Sequence, residues 1–215
     1  MTSDTALTPR LLALGPIAAA TAVGDMDTLP AALERGLDAG LTVNEVKEVL
    51  VQLYAYAGFP RSLNALTAFM KVVDERRKRG VEDVQGAEPG PVPSPGEMLA
   101  AGTANQTKLS GAPVRGPLFE FAPAIDQYLK AHLFGDIFAR DNLDWPSREL
   151  ATIAALSAMS GVESQLQSHV RIGMNVGLTE AQLNAFAAGL AARGEAQAGE
   201  RLRQALRKHL ATLAR

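Results

Sequence analysis

The chain contains no cysteine. That absence rules out disulfides, thiolate metal sites and any mechanism with a cysteine nucleophile or a thiol relay. Aromatic residues are scarce, at 5%, and the abundance of alanine points to closely approaching helices. There is no cationic excess either: the net charge is −2 over 215 residues, which gives no electrostatic basis for a nucleic-acid or anionic-membrane partner. The longest apolar run near the start, LLALGPIAAATAVG at 11–24, carries a proline and is too short for a bilayer span. It reads as a core helix, with the cytoplasm as the expected location. G-x-S-x-G, a glycine-rich phosphate loop and H-E-x-x-H are also missing, so serine-hydrolase, nucleotide-binding and zinc-protease chemistry have no support.

What is present is helical periodicity. Hydrophobic residues make up 47% of the chain, ample for a core, and β-branched alternation of strand length does not occur, so the expected class is all-α. Thr42 and Glu45 form a capping box that opens a helix over about 43–56. Gly58 permits a turn and Pro60 suits a first helical position. Leu63, Leu66, Phe69, Met70 and Val73 then mark a second helix running to a basic end near Gly80. The run GVEDVQGAEPGPVPSPG at 80–96 reads as a linker. Beyond it, Ser94 and Glu97 should cap a helix to about Leu109, and another is expected over about 123–138. Helices from Pro146 to Gly161, Glu163 to Gly177, Glu180 to about Ala192 and about 195–212 complete the chain.

Two halves are visible. DAGLTVNEV at 38–46 recurs as NVGLTEAQL at 175–183, an offset of 137 residues that pairs one threonine cap with the other. The expected division is a first half at 1–80, a connecting stretch with a short helix at 81–118, and a second half at 119–215. Under this offset His169 corresponds to Ala32, so an imidazole survives only in the second copy.

The segment RELATIAALSAMSGVESQLQSHVRIGMNVGLT at 148–179 carries the candidate chemistry. Glu149 and His169 flank a turn at Ser160 and Gly161, and at ~1.5 Å rise per residue their mismatch along antiparallel helices is about 4 to 5 Å, within reach of a glutamate side chain. A carboxylate on one imidazole nitrogen fixes the tautomer and equips the ring to move protons. A buried Glu–His hydrogen bond that only joins two helices is the structural alternative.

GLTVNEVKEVLVQLYAYAGFPRSLNAL in the first half, and FGDIFARDNLDWPSRELATIAAL with ESQLQSHVRIGMNVGLT in the second, resemble the carboxymuconolactone decarboxylase family. The resemblance implies the alkylhydroperoxidase D-like helical fold, tandemly duplicated here, and a homo-oligomer of trimeric or hexameric type. It also implies Glu149 and His169 as catalytic residues. The family's peroxidase branch, the source of its association with peroxiredoxin activity, places cysteines seven and four positions before the histidine. Those positions are Val162 and Gln165 in this chain. The expected activity is therefore that of a cofactor-free lyase acting on a small anionic lactone or keto acid. A non-catalytic oligomer of the same fold, and a peroxide-defence role needing no thiol, stay open as alternatives.

Arg140 is the expected fork for a substrate carboxylate, with an ordinary salt bridge as its alternative, and Gln165 the expected pocket-lining polar group. His132 and Asp136 have metal-compatible i, i+4 spacing but no obvious third ligand, so no metal is expected. His209 reads as solvated. The first half keeps YAGFP but not the acid and histidine, whereas the second keeps the acid and histidine but not YAGFP, so a complete pocket could draw on both.

Overall fold

The computed structural model describes residues 6–213, whose regular elements are all helical, with no strand among them. In chain order the elements are α1 (Pro9–Val23), α2 (Leu29–Asp38), α3 (Val43–Gln52), α4 (Tyr54–Ala57), α5 (Phe59–Lys78), α6 (Met98–Ser110), α7 (Pro117–Phe121), α8 (Pro123–Tyr128), a π-helical segment (Leu129–Ile137), α9 (Trp145–Ala158), α10 (Glu163–Asn175), α11 (Glu180–Ala191) and α12 (Ala196–Leu213). None of the helices is long and apolar enough to cross a membrane.

The 137-residue offset of the threonine caps carries through four helices. Within three residues at each end, it maps α1 onto α9, α2 onto α10, α3 onto α11 and α5 onto α12. Turn glycines follow the same rule. Gly24 and Gly161 have φ of 74° and 79°, and Gly40 and Gly177 have 94° and 107°, a left-handed region that side chains with a Cβ avoid. Thr42 and Thr179 both cap their helices with complete capping boxes, through Glu45 and Gln182. The two copies meet along α1 and α9, whose small residues Ala18, Ala19, Ala22, Ala151, Ala154 and Ala155 are buried in one shared core. The 11–24 run is thus a core helix, as its composition suggests.

Three elements differ from their sequence-based expectation. The expected helix over 43–56 breaks at Leu53, which is fully buried, leaving α3 and the short α4. Ser94 does engage Glu97, its hydroxyl donating to the carboxylate at 2.6 Å, but Glu97 is itself the N-cap and the helix starts at Met98. The expected helix over 123–138 is α8 running into the π-helical segment.

The connecting stretch is packed rather than free. Val43 N and Asn44 N donate to the carbonyls of Val84 and Gln85 at 3.0 and 2.9 Å, and Gly90 N donates to Asp141 Oδ1 at 2.7 Å, tying the stretch to both halves. Beyond it, α6 lies on the π-helical segment at backbone contact. A Cβ on Gly102 would come within 1.7 Å of the Lys130 carbonyl, and one on Gly135 within 2.9 Å of the Met98 carbonyl.

Candidate active site

Asp144 opens α9 by accepting from Ser147 N at 2.7 Å, with Pro146 fixing the first turn. Glu149 then falls on the face turned toward α10. Gly161 closes the turn between the helices, and Gly173 lets them approach: its Cβ position is 3.2 Å from Ile153 Cδ1 and 3.8 Å from Glu149 Cβ. The result is a contact between the two residues singled out by spacing. His169 Nδ1 donates to the Glu149 carboxylate at Oε2, 2.8 Å away. Glu149 has no exposed surface, and His169 retains 8% of its own.

A carboxylate only accepts, so it assigns the Nδ1 proton to the imidazole and leaves Nε2 as the basic nitrogen. Glu149 Oε1 is buried without a hydrogen-bond partner. Tyr56, from α4 of the first half, sets its ring edge-on to His169, with centroids 5.4 Å apart and planes at 79°. The Tyr56 hydroxyl is likewise buried without a hydrogen bond. Burial, followed by the negative charge of Glu149, pushes this phenol well above the usual tyrosine range. It is a neutral group here.

His169 faces a cavity of about 500 Å³. Val162 and Gln165 both lie on its wall. Its lining is mixed: apolar residues come from the π-helical segment (Leu129, Leu133 and Phe134) and from α7 and α8 (Leu118 and Ile125). Polar ones come from α10 (Ser164, Gln165, Ser168, His169 and Arg171) and α6 (Gln106 and Ser110). Gln106, Tyr56 and Arg171 went unrecognised in the sequence. YAGFP signalled Tyr56, but nothing in ANQTKLSG marks Gln106, which reaches the cavity only because α6 docks on the π-helical segment. A broader depression along α6, lined by Leu99, Ala100, Thr103 and Lys108, lacks acid–base equipment, and Lys108 sits over the Trp145 ring.

Arg140 does not belong to this cavity. Its guanidinium forms a two-pronged pair with Glu48 of α3, with Nε at 2.9 and 3.0 Å and Nη2 at 2.5 Å from the carboxylate oxygens, and it borders a separate depression beside Asp144 and Trp145. The expectation of a substrate fork at Arg140 is thereby corrected, because a carboxylate from the other half already occupies it. Arg148, fully buried, shares the same glutamate: Nη2 donates to Glu48 Oε2 at 3.1 Å and Nη1 to Gln52 Oε1 at 3.1 Å. Gln52 in turn donates to Thr152 Oγ1 at 2.7 Å. Burial raises the Glu48 carboxyl, but the hydrogen bonds of Arg140 and Arg148 outweigh it and hold the group below the ordinary carboxylate range. Desolvation lowers Arg148, with Glu48 opposing.

His132 Nδ1 and Asp136 Oδ2 stand 2.6 Å apart on the surface, and no group of three or more potential ligands occurs among the described residues. His209, expected in solvent, is 6% exposed on α12.

No curated protein matches the chain. The model of the carboxymuconolactone decarboxylase family matches residues 1–71 and 123–208, one stretch in each half. These stretches contain the repeated helices, apart from the ends of α5 and α12, and the Glu149–His169 pair, and leave out the connecting stretch that holds α6. Matched over more than half its length, and folded as a duplicated all-helical unit, the chain belongs to the carboxymuconolactone decarboxylase family.

Proposed function

We propose that this protein is a thiol-independent, cofactor-free lyase that acts on a small carboxylated lactone or keto acid, with His169 moving the proton and Glu149 holding the ring. The observation that carries the reading is the division of labour on one imidazole: Nδ1 is engaged by a buried carboxylate while the ring borders a cavity of about 500 Å³. In a decarboxylation the bond from carbon to carboxylate breaks, CO2 leaves, and its electron pair passes into the conjugated carbonyl as a dienolate. Nε2, having first taken a proton from water to form the imidazolium, then delivers it to the carbon and returns to its basic state. Glu149 stabilises the charged ring during this exchange, and Arg171 supplies the cation that Arg140 cannot. Such a reaction moves protons and carbon dioxide but passes no electrons to an acceptor.

Turnover of a panel of lactone and keto carboxylates tests the reading. His169→Ala is expected to lower kcat/KM by about 10²–10⁴, and Glu149→Gln nearly as much. Wild-type rates in either variant overturn it.

Self-association belongs to the same proposal. Phe59, Leu63 and Met70 form an exposed stripe along α5. Their counterparts in α12, Ala196, Glu200 and Arg207, include an exposed ion pair between Glu200 and Arg207, so the fold itself does not require an apolar stripe there. Light scattering is expected to find a species larger than the 22.7 kDa chain; a monomer at micromolar concentration contradicts this.

A further inference from the structure

We infer that the His169 cavity is built for amphipathic monocarboxylates, molecules with an apolar ring or chain, one carboxylate and a neighbouring carbonyl, in preference to compact polycarboxylates. The inference rests on the reading of this cavity as the active site and names its substrate class.

The cavity lining is partly apolar. Leu118, Ile125, Leu129, Leu133 and Phe134 all contribute to it, and the first two are more than 40% exposed, so apolar surface extends toward solvent. A ligand with only polar groups would strip these residues of water without covering them. Among the lining residues Arg171 is the only cation. Its Nη1 donates to the Ser110 carbonyl at 3.3 Å, which leaves the rest of the guanidinium for an anion. One carboxylate is therefore matched, whereas a second would find no further cation on the lining and would add to the Glu149 charge.

Gln106 supplies the independent mark of a ligand. It is 3% exposed and lines the cavity, yet its carboxamide makes no hydrogen bond among the described residues. Its neighbour Asn105, by contrast, donates to the Phe134 carbonyl at 2.8 Å. Unlike Glu149 Oε1 and the Tyr56 hydroxyl, the Gln106 amide is not sealed from solvent, so it is open to a partner in the cavity. An amide N–H directed at a carbonyl oxygen satisfies it, and would also stabilise the enolate left when CO2 departs, before His169 delivers its proton.

Calorimetric titration of the full-length protein with phenylpyruvate, 3-phenylpropionate and adipate tests this. Phenylpyruvate is expected to bind about tenfold or more tightly than adipate, with 3-phenylpropionate between them. Arg171→Gln should weaken both phenyl acids by a similar factor, with Arg171→Lys restoring part of the loss. Gln106→Leu should erase only the advantage of phenylpyruvate over 3-phenylpropionate. Unchanged melting temperatures in the variants establish that they fold. Adipate binding as tightly as phenylpyruvate, or phenyl-acid affinities indifferent to Arg171, overturns the inference. The two failures are separable: tight phenylpyruvate binding with no acid turned over removes the catalytic reading alone, and His169-dependent turnover of polycarboxylates without phenylpyruvate binding removes the ligand class alone.

Discussion

Glu149 and Glu48 are both buried carboxylates, but their surroundings set them to different work. Glu48 is saturated by two guanidinium groups, while Glu149 accepts one bond from an imidazole and keeps an oxygen unpaired. The first arrangement is structural: Glu48→Ala strands Arg148 without a counter-charge in the interior, and urea unfolding is expected to show a loss of about 3–5 kcal/mol. A change below about 1 kcal/mol would mean that water reaches Arg148. Tyr56→Phe removes a buried hydroxyl that has no partner, so stability should be unchanged or slightly raised, whereas a loss above about 1 kcal/mol would reveal a hydrogen bond there. At this scale the sequence was legible where partners are close along the chain. Glu149 and His169 flank a single turn, so helix pitch alone predicts their meeting. Arg140 was misread because Glu48 lies 92 positions away, and a lone arginine does not disclose which carboxylate the fold will bring to it.

Helices show the same contrast between local and non-local causes. Caps and turn glycines are local, and through them the repeat, most helix limits and the α9–α10 hairpin could be read in advance. The break at Leu53 and the π-helical turns arise from packing. Apolar spacing runs unbroken through 43–56, and nothing within 129–137 signals an altered hydrogen-bond register. What sets the latter apart is the crossing with α6, where two glycines let backbones touch. Gly102→Ala would drive a methyl group into the Lys130 carbonyl, and since neither backbone can yield cheaply, α6 should lift. Faster amide exchange across both elements, together with weakened ligand binding through displaced Gln106, is the expected result. Wild-type protection in that variant would show that the crossing is looser than described.

Across the whole molecule the duplicated halves are not equivalent. The first contributes Tyr56, Gln52 and Glu48, the second the acid and the imidazole, and the connecting stretch the amide. Stability should depend on pH at two levels. Burial, then the charge of Arg171, holds His209 below its ordinary value. Its contribution is thus complete above the unfolded value of about 6.5 and declines as pH falls through the lowered folded value. Glu48, also lowered, contributes fully above about 4.3 and loses that contribution as pH falls through its folded value. Denaturant unfolding of His209→Gln should therefore show a flatter decline below about pH 6.5 than the parent protein, and identical slopes would count against a neutral buried His209.

The central claim concerns where one proton sits. The chain has three histidines, so imidazole ¹⁵N spectra can be assigned by single substitutions. In the neutral state His169 is predicted to carry its proton on Nδ1, bound to Glu149, with Nε2 unprotonated, and to lose this preference in Glu149→Ala. A wild-type His169 protonated on Nε2, with Nδ1 accepting from Glu149, would contradict the account.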